Sequence, residues 1–243
     1  MAKAPKTAYV CNDCGAEYSR WMGQCKECKA WNTISEVRLI SAKESNKNDR
    51  FSGYAGETSG KVQTLSEISL QEVPRFSSGF NELDRVLGGG VVPGSAILIG
   101  GHPGAGKSTL LLQVMCGLAK DLPTLYVTGE ESLQQVAMRA NRLGLPTENL
   151  KMLSETSVEH ICNIADQEKP KIMVIDSIQV MHLADIQSSP GSVSQVRECA
   201  SFLTRYAKTR QVAIIMVGHV TKDGTLAGPK VLEHCIDASI LLE

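Results

Sequence analysis

From residue 62 onward, short apolar runs rich in β-branched residues alternate with longer stretches of helical periodicity. The runs predict strands at residues 95–100, 124–128, 150–153, 171–175, 212–217 and 238–242, and the periodic stretches predict helices near 107–120, 133–143, 158–168 and 192–208. Such alternation is typical of βαβ units, so the predicted fold class is α/β with a mostly parallel sheet flanked by helices. Runs such as IMVI and VAIIMV are apolar throughout, as expected of strands covered on both faces. Because ligands of such sheets bind at the carboxyl ends of strands, we expect the chemistry there.

The pattern changes twice along the chain. Residues 1–40 carry closely spaced cysteines and both tryptophans, and residues 41–61 are polar, Gly/Ser-rich and without periodicity. A segment of that composition is typical of a flexible linker. We therefore predict a small N-terminal module at 1–40, a linker at 41–61 and an α/β core at 62–243.

Composition narrows the possible functions. With 42% apolar and 21% charged residues in 243, the chain is typical of a globular protein. A net charge of −1 gives no bulk attraction to nucleic acid, so any such contact must come from local loops. No apolar run is long enough for a membrane span, and MAKAPKTAYVCND lacks the apolar region of a secretory signal. We expect a cytoplasmic protein without membrane contact, whose isolated cysteines are small buried hydrophobes (Cys116, Cys162, Cys199, Cys235).

The segment GHPGAGKS between the strand at 95–100 and the helix at 107–120 matches the phosphate-binding P-loop pattern completely. Its glycines let backbone N–H groups turn inward toward phosphate oxygens, and the helix N-terminus adds positive charge. Lys107 is predicted to reach the β- and γ-phosphates, Ser108 to bind Mg²⁺ and Thr109 to approach the α-phosphate. The predicted ATP-binding residues are Gly101, His102, Pro103, Gly104, Ala105, Gly106, Lys107, Ser108 and Thr109.

Two further carboxylate positions follow predicted strands. Asp176 ends the apolar strand KIMVID, where a Walker-B carboxylate holds Mg²⁺; the alternative is a turn former or helix cap. Glu130 and Glu131 end TLYVTGEE, where a base must polarise the attacking water. We predict that Glu130 is that base, acting with Lys107 in catalysis, and Glu131 is the second choice; alternatively both cap the next helix.

The N-terminal module carries two C-x-x-C pairs, Cys11/Cys14 and Cys25/Cys28, ten residues apart. Four thiolates at this spacing predict one structural Zn²⁺, which replaces the core that so short a module cannot build. Redox pairs or disulfides are the alternative. Three aromatic residues flank the pairs (Tyr18, Trp21, Trp31), and we predict that they cover the metal as a small core rather than stack on nucleobases.

Beyond these motifs, RFSSGFNELDRVLGGGVVPGSAILIGGHPGAGKSTLLLQ resembles the RecA superfamily, in which a short helix ending in LGGG precedes the P-loop strand. The cysteine module, LYVTGEES, VIDSIQVM and VGHVTKDGTLAGPKVLEH are similar to a bacterial DNA-repair branch of that superfamily, over essentially the whole chain. The resemblance implies a RecA-like, DNA-stimulated ATPase with a helicase-like motor, using ATP, Mg²⁺ and Zn²⁺. It maps the phosphate lysine, the Mg²⁺ aspartate and the catalytic glutamate onto Lys107, Asp176 and Glu130.

The same resemblance implies partners. They are single-stranded and branched DNA, the RecA recombinase and further copies of the chain in a ring of the hexamer kind. DNA-facing loops map onto residues 183–194 and 220–230, where Lys222 and Lys230 are candidates for phosphate contact; an ordinary solvated loop is the alternative. His219, before the second loop, is either a relay of nucleotide state or a structural residue.

The family's Lys-Asn-Arg-Phe-Gly motif and its Lon-protease-like domain are not among these 243 residues. We therefore expect slow hydrolysis and poor ring formation from this chain alone. Two other functions compete with the motor: a nucleotide-driven switch or kinase that does not touch DNA, and a non-catalytic binding module.

Overall fold

A computed structural model describes residues 6–11, 13–39, 64, 74–219, 232 and 235–243. The predicted linker at 41–61, Lys222 and Lys230 lie outside the described residues, so the domain boundaries stay predictions. Among the residues that are described, no helix combines the length and the apolar character needed to cross a bilayer.

The N-terminal module contains a small antiparallel sheet that the sequence did not predict. Strand β1 (Lys6–Cys11) lies between β2 (Glu17–Tyr18) and β3 (Ile34–Leu39). Tyr9 pairs with Tyr18 across one edge, and Cys11 pairs with Ile34 across the other. This pairing places the first cysteine of the module at the C-terminal end of the central strand.

The core is a six-stranded sheet in which all five strand pairs are parallel, as predicted. Its order is β6-β5-β7-β8-β4-β9. The strands are β4 (Ala96–Gly101), β5 (Thr124–Thr128), β6 (Lys151–Ser154), β7 (Ile172–Asp176), β8 (Ala213–Val217) and β9 (Ala238–Leu242). The helices are α1 (Asn81–Val86), α2 (Lys107–Leu118), α3 (Leu133–Arg142), α4 (Val158–Glu168) and α5 (Val193–Arg210), with a short 3₁₀ helix at Ile178–Val180.

Helices cover both faces of this sheet and bury its central strands completely. On one face, residues such as Leu98 and Ile175 pack with α4 and α5. On the other face, residues such as Ile99 and Val174 pack with α2 and α3. All four isolated cysteines are buried, as predicted (Cys116, Cys162, Cys199, Cys235).

Local signals set the helix ends. Ser132, Ser157 and Ser192 precede α3, α4 and α5, and each hydroxyl accepts a hydrogen bond from a backbone N–H of the first turn. The predicted start of α5 at residue 192 is therefore its N-cap. Lys169 and Gln211 adopt the left-handed conformation and end α4 and α5, the latter two residues beyond its predicted end.

Candidate active site

The P-loop lies where β4 ends and α2 begins. Gly104 and Gly106 have φ of 85° and 91°, a region that glycine enters without strain, and Gly106 is the N-cap of α2. At Gly101, an added Cβ would lie 2.6 Å from the backbone oxygen of Leu242 in β9. The loop is thus shaped by glycine on both sides: two positions turn the chain and one admits the neighbouring strand.

Lys107 is the first residue of α2 and is only 4% exposed. Its ammonium group donates hydrogen bonds to the carbonyl oxygens of Gly101 (2.7 Å) and His102 (2.9 Å). Burial lowers the pKa of Lys107, and the nearby charges of Asp176 and Glu130 oppose that shift. A cation inside its own loop, facing two carboxylates, has the arrangement required to neutralise polyphosphate charge.

Asp176 ends β7 and is 6% exposed. Its carboxylate accepts a hydrogen bond from the Tyr126 hydroxyl at 2.6 Å and another from the hydroxyl of Ser108. Burial raises the pKa of Asp176, which these two hydrogen bonds oppose and the charge of Glu130 reinforces. The structure therefore brings the two predicted Mg²⁺ ligands, Ser108 and Asp176, into direct contact. A hydroxyl and a carboxylate are hard oxygen donors that suit Mg²⁺.

The two glutamates after β5 lie in different surroundings. Glu131 forms an ion pair with Arg139 of α3, and Thr128 bonds its backbone N–H and carbonyl. Glu130 instead accepts a hydrogen bond from the Ser177 hydroxyl and lies 3.2 Å from Nε2 of His219. Glu131 is thus held in a structural contact, whereas Glu130 faces the ends of β7 and β8, on the side of Lys107. The proposed helix-capping role falls to Ser132 rather than to either glutamate.

The four predicted zinc ligands converge at the other end of the chain. The Sγ atoms of Cys11, Cys14, Cys25 and Cys28 all lie within 4.8 Å of one another. Sγ–Sγ distances are 3.6 Å for Cys11–Cys28 and 3.4 Å for Cys14–Cys25. Four thiolates around a centre at a typical Zn–S bond length of about 2.3 Å require spacings of this size, so the residues fit tetrahedral zinc.

The aromatic residues of the module depart from the prediction. Tyr18 does pack against the cluster, and its hydroxyl lies 3.1 Å from Sγ of Cys25. Trp21 and Trp31, however, are 57% and 69% exposed, so the prediction that they cover the metal is wrong. The cysteines themselves, with Ile34, fill the centre of the module and leave no room there for indole rings.

A family model described as an AAA domain matches residues 63–225, about two thirds of the chain. The chain belongs to the AAA domain family. A second model, a rubredoxin metal-binding domain of the zinc-ribbon type, matches residues 9–36 and so contains all four cysteines. The AAA domain supports nucleotide binding, and the ribbon supports zinc.

Curated relatives named DNA repair protein RadA align with the whole of this AAA-domain chain. The protein of Haemophilus influenzae is 86% identical, that of Escherichia coli 74% and that of Bacillus subtilis 46%. In each case the match covers 53% of the relative, so the chain spans about half the length of these proteins. The resemblance to a bacterial DNA-repair branch is thereby confirmed: the chain matches the N-terminal part of RadA.

Among solved structures, a KaiC-like protein of Pyrococcus horikoshii has a similar fold. The TM-score is 0.58 at 22% identity, over 70% of this AAA-domain chain and 80% of that protein. This level of identity supports the fold alone. It agrees with the predicted RecA-like architecture of a parallel sheet flanked by helices.

Three polar residues contact the predicted active-site carboxylates. The sequence predicted no active-site role for Tyr126 or Ser177, and it left two roles open for His219. Tyr126, Ser177 and His219 contact Asp176 or Glu130 from positions 50, 47 and 89 residues away in the chain. Serine directly after the Walker-B aspartate was the available signal for Ser177. The other two depend on strand order, which the local pattern does not contain.

The side chain of Gln195 hydrogen-bonds to the backbone of the first predicted DNA-facing loop, 183–194. The amide of Gln195 is buried and donates to the carbonyl oxygens of Ile186 and Ser188, both at 2.9 Å. The only charged residue in this loop is Asp185, so the loop offers no side-chain cation for a phosphate. A phosphate contact from this part of the chain would have to use backbone N–H groups.

Proposed function

We propose that this chain is the ATPase and zinc portion of a Mg²⁺- and DNA-dependent motor of recombinational DNA repair. The observation that carries the proposal is the meeting of Lys107, Asp176 and Glu130 at one edge of the sheet, in a chain that matches the N-terminal part of DNA repair proteins. The proposed substrates are ATP and single-stranded or branched DNA. The proposed setting is the cytoplasm, beside the RecA recombinase.

The binding roles follow from the positions of the side chains. The P-loop N–H groups between Gly101 and Thr109, except at Pro103, would surround the phosphates, and Lys107 would exchange its bonds to loop carbonyls for bonds to the β- and γ-phosphates. Ser108 and Asp176 would hold Mg²⁺. The metal contributes charge neutralisation between the β- and γ-phosphates.

Glu130 is proposed as the base that orients and polarises the attacking water. Ser177 donates to Oε1 of Glu130, which fixes the orientation of the carboxylate group. His219, at the end of β8, faces the same carboxylate and directly precedes the second predicted DNA loop. A change in the position of Glu130 on hydrolysis would therefore act on His219, which directly precedes residues 220–230 in the sequence.

DNA and ring contacts complete the proposal. Since the net charge is −1, phosphate binding must rely on local cations, for which Lys222 and Lys230 are the proposed residues. RecA-like rings place the nucleotide between neighbouring copies, so a ring of the hexamer kind is proposed for the longer protein. In such rings, an arginine from the neighbouring copy can reach the γ-phosphate, and an arginine acting in trans raises the hydrolysis rate by about 10³–10⁵-fold.

The test is ATP turnover with and without single-stranded DNA, on this chain and on one extended beyond Glu243. In the extended protein, we expect DNA to raise turnover, and Glu130→Gln to lower it by about 10²–10⁴ while ATP still binds. Glu131→Gln is the matched control: it removes the adjacent carboxylate, which is tied to Arg139, and should retain most of the activity.

Two results would contradict the proposal. Wild-type turnover in Glu130→Gln, with loss in Glu131→Gln, would exchange the roles of the two glutamates. Turnover of the extended protein that DNA does not change would favour the nucleotide-driven switch instead.

A further inference from the structure

The zinc module presents two indole rings to solvent. Trp21 and Trp31 are the two tryptophans of the chain, and both are more than half exposed. Neither ring belongs to the small buried cluster around the cysteines. Exposed tryptophans that serve no internal packing are candidates for contact with a ligand or partner.

The two rings lie side by side above one residue. A Cβ built on Gly23 would lie 3.8 Å from Cη2 of Trp21 and 3.9 Å from Cζ3 of Trp31. The edges of both rings thus lie at van der Waals distance from the position that a side chain at Gly23 would occupy. The two indoles and Gly23 together form what we call the indole pair.

The indole pair is held in place by backbone contacts. Nε1 of Trp21 donates to the carbonyl of Ile34 at 3.1 Å, which fixes the ring of a residue that is still 57% exposed. Trp31 is paired with Gln24 across an isolated antiparallel bridge, and the N–H of Asn32 donates to the carbonyl of Gly23 at 2.7 Å. Ordering two rigid rings in advance lowers the entropy cost of binding.

The charges near the indole pair favour an anionic ligand. Arg20 directly precedes Trp21, and Lys29 lies two residues before Trp31; both are exposed, as is Lys26. Glu27 is the exposed acid within this stretch. Aromatic rings with adjacent cations are the combination by which proteins hold single-stranded nucleic acid, since bases stack on rings and phosphates meet the cations.

We propose that the indole pair is a stacking site for unpaired nucleobases of single-stranded DNA. The inference rests on the proposed function, because it requires that the protein engages single strands. It assigns the zinc module a direct role in DNA contact, in addition to the predicted DNA-facing loops of the AAA core. The ring faces do the binding, so the site is tolerant of base identity.

Intrinsic fluorescence tests this site selectively, because every tryptophan of the chain belongs to it. Zinc-loaded full chain is titrated with oligothymidylate and, in parallel, with an abasic oligomer of equal length and charge. Binding is measured separately by the anisotropy of a label on each oligomer. We expect oligothymidylate to quench tryptophan emission and the abasic oligomer to quench it far less.

Variants then separate stacking from folding. Replacing one tryptophan by alanine should weaken oligothymidylate binding by about 5- to 150-fold, and replacing both should weaken it further. Trp21→Phe and Trp31→Phe keep a ring at each position and should lose less, and each leaves one tryptophan as reporter. Zinc content is measured for every variant. If an alanine variant loses zinc, the test of stacking rests on the phenylalanine variants instead. Met138→Ala, at an exposed apolar residue on the surface of the AAA domain, is the matched control and should bind like the wild type.

Some outcomes overturn the inference without touching the proposed function. Oligothymidylate that binds by anisotropy with no change in emission, equal quenching by the abasic oligomer, or unchanged affinity of the double alanine variant would each do so. A pair that serves a protein partner predicts the first and third of these results. If neither oligomer binds at all, the stacking site and the DNA dependence of the proposed function both fail.

Discussion

The AAA core and the zinc module obtain their stability in opposite ways. The core buries apolar side chains on both faces of a six-stranded sheet, in two large clusters. The module buries one small cluster, Cys11, Cys25 and Ile34, and two of these three are metal ligands. The comparison shows how a short segment replaces an apolar core by a metal and can then leave its aromatic rings in solvent.

Removal of zinc is expected to have the largest effect, because it should destabilise the zinc module and leave the core unchanged. Structural zinc contributes about 10–16 kcal/mol of apparent binding energy in small zinc domains, which is also folding energy. Cys25→Ser should therefore lose the metal and unfold residues 6–39 while the core keeps its structure. Metal analysis together with hydrogen exchange, resolved into the two regions, measures both effects.

Lys26→Ala is the control for this substitution, since Lys26 is adjacent and exposed. It should retain one zinc per chain. Absence of zinc from wild-type protein purified without chelator would contradict the site, and loss of exchange protection in the core of Cys25→Ser would contradict the independence of the two regions.

The reverse perturbation acts on the core alone. Ile161, on α4, is completely buried in the cluster that faces α5. Ile161→Ala should lower the free energy of unfolding of the core by about 2–5 kcal/mol, because it removes buried carbon atoms and leaves a cavity. Chemical denaturation measures the change, and zinc content should stay at the wild-type level.

Met138→Ala removes an apolar side chain of similar size from an exposed position, and we expect a change within about 0.5 kcal/mol. Equal losses for Ile161→Ala and Met138→Ala would mean that burial does not determine the stability of the core. Loss of zinc from Ile161→Ala would mean that the two regions unfold together.

The sequence predicted the core more completely than the module, and for a physical reason. Strands β5 and β9 and helix α4 match their predicted bounds, because apolar runs and helical periodicity are strong where both faces of the sheet are covered. In the module, the three strands were not predicted; β2 has only two residues, which is too short for any alternation to appear. Its tryptophans were misjudged because thiols, rather than rings, occupy the centre.

The active site was predictable in its motifs but not in its connections. Lys107, Ser108 and Asp176 meet as the motif spacing implies. The separate environments of Glu130 and Glu131 depend on what lies at the ends of β7 and β8, which is decided by the strand order β5-β7-β8. That order brings Ser177 and His219 to Glu130, and it is a property of the whole sheet rather than of any local segment.

The smallest expected effect concerns the buried carboxylate of Asp176 at the end of β7. Burial raises the pKa of Asp176, so the folded state binds this proton more tightly than the unfolded state does. Stability therefore falls as the pH rises from the ordinary range of an aspartate through the raised pKa. Asparagine at this position removes the charge and still accepts the hydrogen bond from Tyr126.

Asp176→Asn should thus stabilise the core by about 1 kcal/mol in the absence of nucleotide, which corresponds to roughly 2–4 °C in Tm for a chain of this size. Hydrolysis should be lost at the same time, because a proposed Mg²⁺ ligand is removed. Thermal unfolding at neutral pH and at an acidic pH below the raised pKa measures the gain, which should shrink at the acidic pH because the wild-type carboxylate is then protonated. Asp121→Asn, at an exposed aspartate after α2, should change Tm little at either pH. A lower Tm for Asp176→Asn at neutral pH would mean that the hydrogen bonds from Tyr126 and Ser108 outweigh the cost of burial, and that the core tolerates this charge without loss of stability.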